Sequence, residues 1–251
     1  MRRRDFIAAA GTVGVGALAG CSGAIGAVAA PVVPRDRLDR GGWELQQESQ
    51  ETVFKQSFGP VTVVAKAHSL TYSDVALRRA VAQKTLGAVD AQMALFSATR
   101  IQFDPDLTGL PVGVVDRTEE AARQQFVQRM RKAGLRNVTR EKTGTLEVDT
   151  GESARLTSYT AEFPFDGVSF PVTEDQTVTI SGAPLTVAGD LAVWRHGGSV
   201  LVAGGAYPAE NFAKTTTEEL SSAITVTVDI DLGLTPDSYR QEVRGLMTAV
   251  R

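Results

Sequence analysis

The chain has 251 residues, 43% hydrophobic and 22% charged, which is enough length for one substantial core and too apolar for disorder over most of its length. Its formal charge is −3. Loss of residues 1–20 would remove three Arg and one Asp and leave 23 basic against 28 acidic residues, net −5, so the basic stripe of a nucleic-acid binder is missing.

The N-terminus runs Arg2-Arg3-Arg4-Asp5-Phe6-Ile7 and then stays uncharged to Gly20. Charge followed by a short apolar run is the order of an export signal, and the run is too short to cross a ~30 Å hydrocarbon core. Arg3, Arg4 and Phe6 match the twin-arginine pattern, in which two Arg and one variable residue precede Phe. The run ends Leu18-Ala19-Gly20-Cys21, which resembles a lipobox. There the thiol takes a diacylglyceryl group, and small residues ahead of it fit a peptidase cleft. Cys21 is the one cysteine of the chain, so an internal disulfide is impossible. The expected organisation is a signal over 1–20, a lipidated Cys21 with a linker over 21–42, and one domain over 43–251. The expected location is the outer face of the cytoplasmic membrane.

Residues 22–34 are Ser, Gly, Ala, Ile, Val and Pro, followed by a charged turn over 35–40 and Gly41-Gly42. As a flexible chain, about twenty residues span roughly 25 Å. Residues 61–72 alternate as a half-buried strand, with Lys66 and His68 on the outer face. Ser73 or Asp74 then caps a helix to about Leu86. Leu95, Ile101 and Phe103 share a face of a further strand, with Arg100 and Gln102 opposite. Asp116 and Glu119 have the spacing of a capping box before a helix whose Ala122, Phe126, Met130 and Ala133 share one face, and Gly134 stops it.

From Leu135 to Tyr207 the pattern is mostly β, with strands expected at 137–142, 145–148, 155–163, 176–180, 185–196 and 199–207. Gly197-Gly198 joins the last two as a tight hairpin, which pairs Trp194 with Leu201 and Val193 with Val202. Residues 224–232 alternate as another strand. Thr235 and Pro236 open a final helix with a stripe of Tyr239, Val243, Leu246, Met247 and Val250. Helices with a largely antiparallel sheet define an α+β fold: a central, mostly antiparallel β-sheet flanked by helices.

Chemistry-bearing motifs are sparse. Two His and one Cys do not make an ordinary zinc site. There is no Gly-x-Ser-x-Gly elbow and no phosphate loop ending in Lys. His196-Gly197-Gly198-Ser199 is explained as a hairpin turn. Trp194, His196 and His68 remain as residues of a ligand groove, with the alternatives that Trp194 packs under a helix and His68 is a surface or helix-covered residue. Glu44, Asp190 and His68 are available for catalysis, but their spacing does not converge. Arg129, Arg131, Lys132, Arg136 and Arg140 form a basic run, either a solvated face or a contact for anionic head groups. No cofactor is expected.

Four stretches carry a family resemblance: Gly41-Gly42-Trp43-Glu44, Phe58-Gly59-Pro60-Val61-Thr62-Val63, Ala188-Gly189-Asp190-Leu191-Ala192-Val193-Trp194, and Val202-Ala203-Gly204-Gly205-Ala206-Tyr207-Pro208. With the signal and lipobox they resemble a haloarchaeal lipoprotein family defined as a domain of unknown function. That resemblance implies a location and no catalytic residues. Ala133-Gly134-Leu135, Ala154-Arg155-Leu156 with Tyr159, and Tyr207-Pro208-Ala209-Glu210 look like the Mog1/PsbP-like superfamily, which implies a helix-flanked antiparallel sheet acting by binding. Three functions are open: a non-catalytic module binding an envelope protein or small ligand, an envelope hydrolase with a dispersed site, and a structural component self-associating through the edge near residues 224–232.

Overall fold

The computed structural model describes residues 27–58, 61–109, 113–172 and 176–251. Arg3, Arg4, Phe6, Leu18, Ala19, Gly20 and Cys21 lie outside the described residues. Seven strands form one antiparallel sheet: β1 (Trp43–Phe58), β2 (Val61–Asp74), β3 (Leu95–Asp104), β4 (Arg136–Glu147), β5 (Ser153–Phe163), β8 (Leu185–His196) and β9 (Ser199–Pro208). Their spatial order is β1-β2-β3-β9-β8-β5-β4. The hairpins β6–β7 (Gly167–Pro171, Thr177–Ser181) and β10–β11 (Ala213–Ser221, Ile224–Asp231) stand apart as two-stranded ribbons. With helices α1 (Arg35–Gly41), α2 (Val75–Lys84), α3 (Val114–Lys132) and α4 (Pro236–Thr248), the fold is α+β.

Alternation along each strand sends side chains to two faces, and each face has its own core. Phe96, Ala98, Ala192, Trp194, Leu201 and Tyr207 pack with Val243, Leu246 and Met247 of α4. Ile101, Phe103, Tyr159, Leu191 and Val193 pack with Phe126 and Met130 of α3. The two helices meet the sheet back to back at Gly204 and Gly205. A Cβ on Gly204 would lie 3.0 Å from the Phe126 ring, and one on Gly205 would lie 2.6 Å from Val243 on the opposite face. Hydrogen in place of a side chain is what lets both helices approach the same stretch of β9.

The β8–β9 hairpin has the expected register, Trp194 opposite Leu201 and Val193 opposite Val202, with both turn glycines at positive φ. Asp74 caps α2, its carboxylate accepting from the Leu77 N–H at 2.7 Å. Gly134 follows α3 at φ 89°. Val243, Leu246, Met247 and Val250 of the final helical stripe are buried. Thr235 holds the cap position of α4 without a side-chain cap bond.

Three expectations change. The expected strands at 137–142 and 145–148 are one strand, β4, with two bulges against β5. Asp116 and Glu119 do not form a capping box. The helix starts two residues before Asp116, its cap is Gly113 at φ 86°, and Arg155 of β5 takes both carboxylates. The stretch assigned to a linker is packed from Val28 onward: Val28, Val33 and Leu38 are buried, and Val32 exchanges backbone hydrogen bonds with Arg251 at 2.6 and 3.0 Å. Short apolar residues between two prolines read as a spacer in sequence, yet here they form a strap over the α4 face.

Candidate functional site

Seven strands at ~4.8 Å spacing make a sheet about 29 Å across, whereas one helix with its side chains is about 10–12 Å wide. The α4 face is covered by α4, the strap with α1, and the two hairpins. The opposite face carries α3, and that helix is set to one side. Arg155 Nη1 binds Glu119 at 2.6 Å and Asp116 at 3.2 Å, and Arg123 holds the other Glu119 oxygen at 2.8 Å. Glu119 is buried, so these charge-assisted bonds form where water competes least. Phe126 packs on Tyr159 of β5 with ring centroids 5.4 Å apart. Helix α3 therefore lies over β5, β8 and β9, and on the β1–β3 half a cleft remains between the helix and β1, above side chains that are themselves buried.

What remains is a trough with α3 as one wall and β1 as the other. It has two lobes, of about 240 Å³ and 380 Å³. They share Glu51, Ser97, Phe126 and Arg129 and so run into one another along the helix. The floor is made of small side chains: Ala65, Ala67 and Ser69 from β2, and Ser97 and Thr99 from β3. Ser69 and Thr99 hydrogen-bond each other at 2.8 Å, so each floor hydroxyl has the other as a partner. Three charged residues line the trough: Glu51 on β1, and Arg117 and Arg129 on α3. All three are exposed, and none has an ion-pair partner among the described residues.

Of the residues singled out from the sequence, His68, Asp190, Trp194 and His196 lie on the other face. His68, Arg100, Leu201 and Trp194 are cross-strand neighbours in one row from β2 to β8. His68 is buried rather than on an outer face. Its Nδ1 is 2.8 Å from the Val28 carbonyl and its Nε2 is 2.6 Å from Glu48 Oε1. Trp194 sits in the core, its Nε1 without a hydrogen-bond partner among the described residues. His196 is half-exposed, with Nδ1 2.7 Å from Glu152. Burial pushes Asp190 up, but hydrogen bonds from Arg244 and Ser158 outweigh it and hold the carboxyl below its usual value. Its neighbour Tyr207 is pushed up to about 12 by burial and by the Asp190 charge. Glu44 is far from this network and faces Arg79 at 3.6 Å. Glu44, Asp190 and His68 thus have separate partners and do not converge.

Of the basic run, Arg129 lines the trough. The β1 wall had no sequence signal, because Gln46 to Thr52 are polar on both faces. Only pairing with β2 makes that stretch a strand. Among the described residues, no group of three or more His, Cys, Asp or Glu is placed to hold a metal ion, and no helix is long and apolar enough to cross a membrane.

One antiparallel sheet with one fully covered face, and a trough beside α3 on the other, defines an α+β domain. The chain belongs to the family described as Domain of unknown function (DUF6517), whose profile matches residues 30–251. No curated protein and no solved structure matches the chain.

Proposed function

We propose that this chain is an exported lipoprotein whose folded part is a non-catalytic binding module acting through the α3 trough. In this reading the twin-arginine signal at Arg3, Arg4 and Phe6 directs export, and the Leu18-Ala19-Gly20 box directs lipidation of Cys21. The domain then sits at the outer face of the cytoplasmic membrane. The resemblance to haloarchaeal lipoproteins and to the Mog1/PsbP-like superfamily supports the same picture. Packing of the strap from Val28 adds to it: six residues lie between Cys21 and Val28, a reach of at most about 25 Å. The module would be held close against its membrane.

The trough carries the binding reading. It is concave, mostly apolar and bounded by rigid elements, which is the usual form of a small-ligand site. Two tests address the two halves. Cell fractionation of wild type beside Cys21→Ser tests the anchor: wild type is expected in the membrane with added lipid mass and the variant in the soluble fraction. Equal membrane retention with no lipid mass on the wild type would overturn it. Mass spectrometry of small molecules released from the purified chain tests the trough. Ser97→Phe, which fills the junction of the lobes, is expected to abolish the bound species. A released species unchanged by the substitution would move the site elsewhere.

A further inference from the structure

We infer that the trough takes a single-chain amphiphile with one anionic head group, its chain along the small-residue floor and its head at Arg129. This rests on the trough being the binding site and adds the class of ligand. Charge comes first. The lining holds Arg117 and Arg129 against Glu51, a surplus of one positive charge, and neither guanidinium has an ion-pair partner among the described residues. A monoanion balances that surplus. Arg129 lies where the two lobes meet, so a head group bound there can send its chain into either lobe.

Floor chemistry gives the rest. The Ser69 and Thr99 hydroxyls hydrogen-bond each other, which lowers the cost of covering them with an apolar chain. Ala65, Ala67 and Ile101 beside them present only carbon.

The test uses the full-length Cys21→Ser chain in detergent-free buffer, so that no lipid of its own competes. The probes are cis-parinaric acid and its methyl ester, which share a chain and differ in the anionic head, with binding read by probe fluorescence. The acid is expected to bind more tightly than the ester. Arg129→Gln should weaken the acid about tenfold and leave the ester within about twofold, and Arg129→Lys should restore part of the loss. Ala121→Trp, on the exposed trough side of α3, should block both probes; thermal melts confirm that each variant is folded. If both probes bind and Ala121→Trp blocks both, but Arg129→Gln does not separate acid from ester, the anionic-head inference fails and the trough remains the site. If neither probe binds, or Ala121→Trp changes neither, the amphiphile is excluded from the trough. In that case, loss of the endogenous ligand in Ser97→Phe decides separately whether the trough binds anything.

Discussion

Asp190 of β8 and Arg244 of α4 meet at 2.8 Å across the interface between sheet and helix, 54 residues apart in sequence. The same carboxylate accepts from Ser158 at 2.6 Å and Tyr207 at 3.0 Å, so both of its oxygens are occupied. This is the one ion pair that ties α4 to the sheet directly, among the described residues. Asp190→Ala would strip three donors of their acceptor and is expected to cost about 3 kcal/mol. Urea unfolding at constant m-value measures it, and a loss below about 1 kcal/mol would mean that α4 is held by its apolar stripe alone.

The pH dependence of that pair has a definite sign. Asp190 titrates below its ordinary value in the folded chain, so its contribution is complete above the unfolded carboxyl range, near 3.9, and is lost as pH falls through the folded value. Between pH 5 and pH 2, wild type should therefore lose more stability than Asp190→Asn. Parallel curves for the two would contradict the coupling.

Asp74 behaves in the opposite sense. Burial, aided by Glu242, raises it to about 6 despite the backbone bonds it accepts. A raised carboxyl favours the folded state most below the unfolded value, and that advantage is lost as pH rises from about 4 through 6. Asparagine caps helices about as well as aspartate and carries no charge to desolvate. Asp74→Asn is expected to flatten stability between pH 4 and 7 and to equal or exceed wild type at pH 7, as read from thermal midpoints.

His68 fastens the strap through the Val28 carbonyl while Glu48 holds the other side of its ring. Removing the ring should free residues 28–33 locally. One lost hydrogen bond corresponds to about 1 kcal/mol, hence roughly fivefold faster amide exchange there in His68→Ala, with β8 and β9 unchanged. The Val32 N–H, bonded to the Arg251 carbonyl, is the reporter.

Gly205 sets how closely α4 can approach. A Cβ there meets Val243 at 2.6 Å and the Leu95 carbonyl at 2.9 Å, and a backbone atom cannot swing aside as a side-chain tip can. Gly205→Ala should cost about 1–3 kcal/mol. Gly204→Ala, whose Cβ meets Phe126, Leu191 and the Asp190 carbonyl at 3.0 Å, loads the α3 face instead and should change ligand retention in the trough more than Gly205→Ala does. Comparing the pair for melting and for retention separates the two faces.

By itself the sequence determined what depends on near neighbours. The stripes of α3 and α4, a helix cap at Ser73 or Asp74, the Gly134 stop and the register set by Gly197-Gly198 all follow from spacing within a few residues, where periodicity and permitted φ angles act. Tertiary structure alone decided the rest. Gln46 to Thr52 became a strand only through pairing with β2, because an edge strand wet on both sides has no alternation to display. Asp116 and Glu119, spaced like a cap, were taken by Arg155, since a partner on β5 supplied a second charge that the helix N-terminus lacks. The trough is the clearest case. Alanines and serines carry no signal one at a time, and they became the floor of a cleft only because α3 on one side and β1 on the other rise above them.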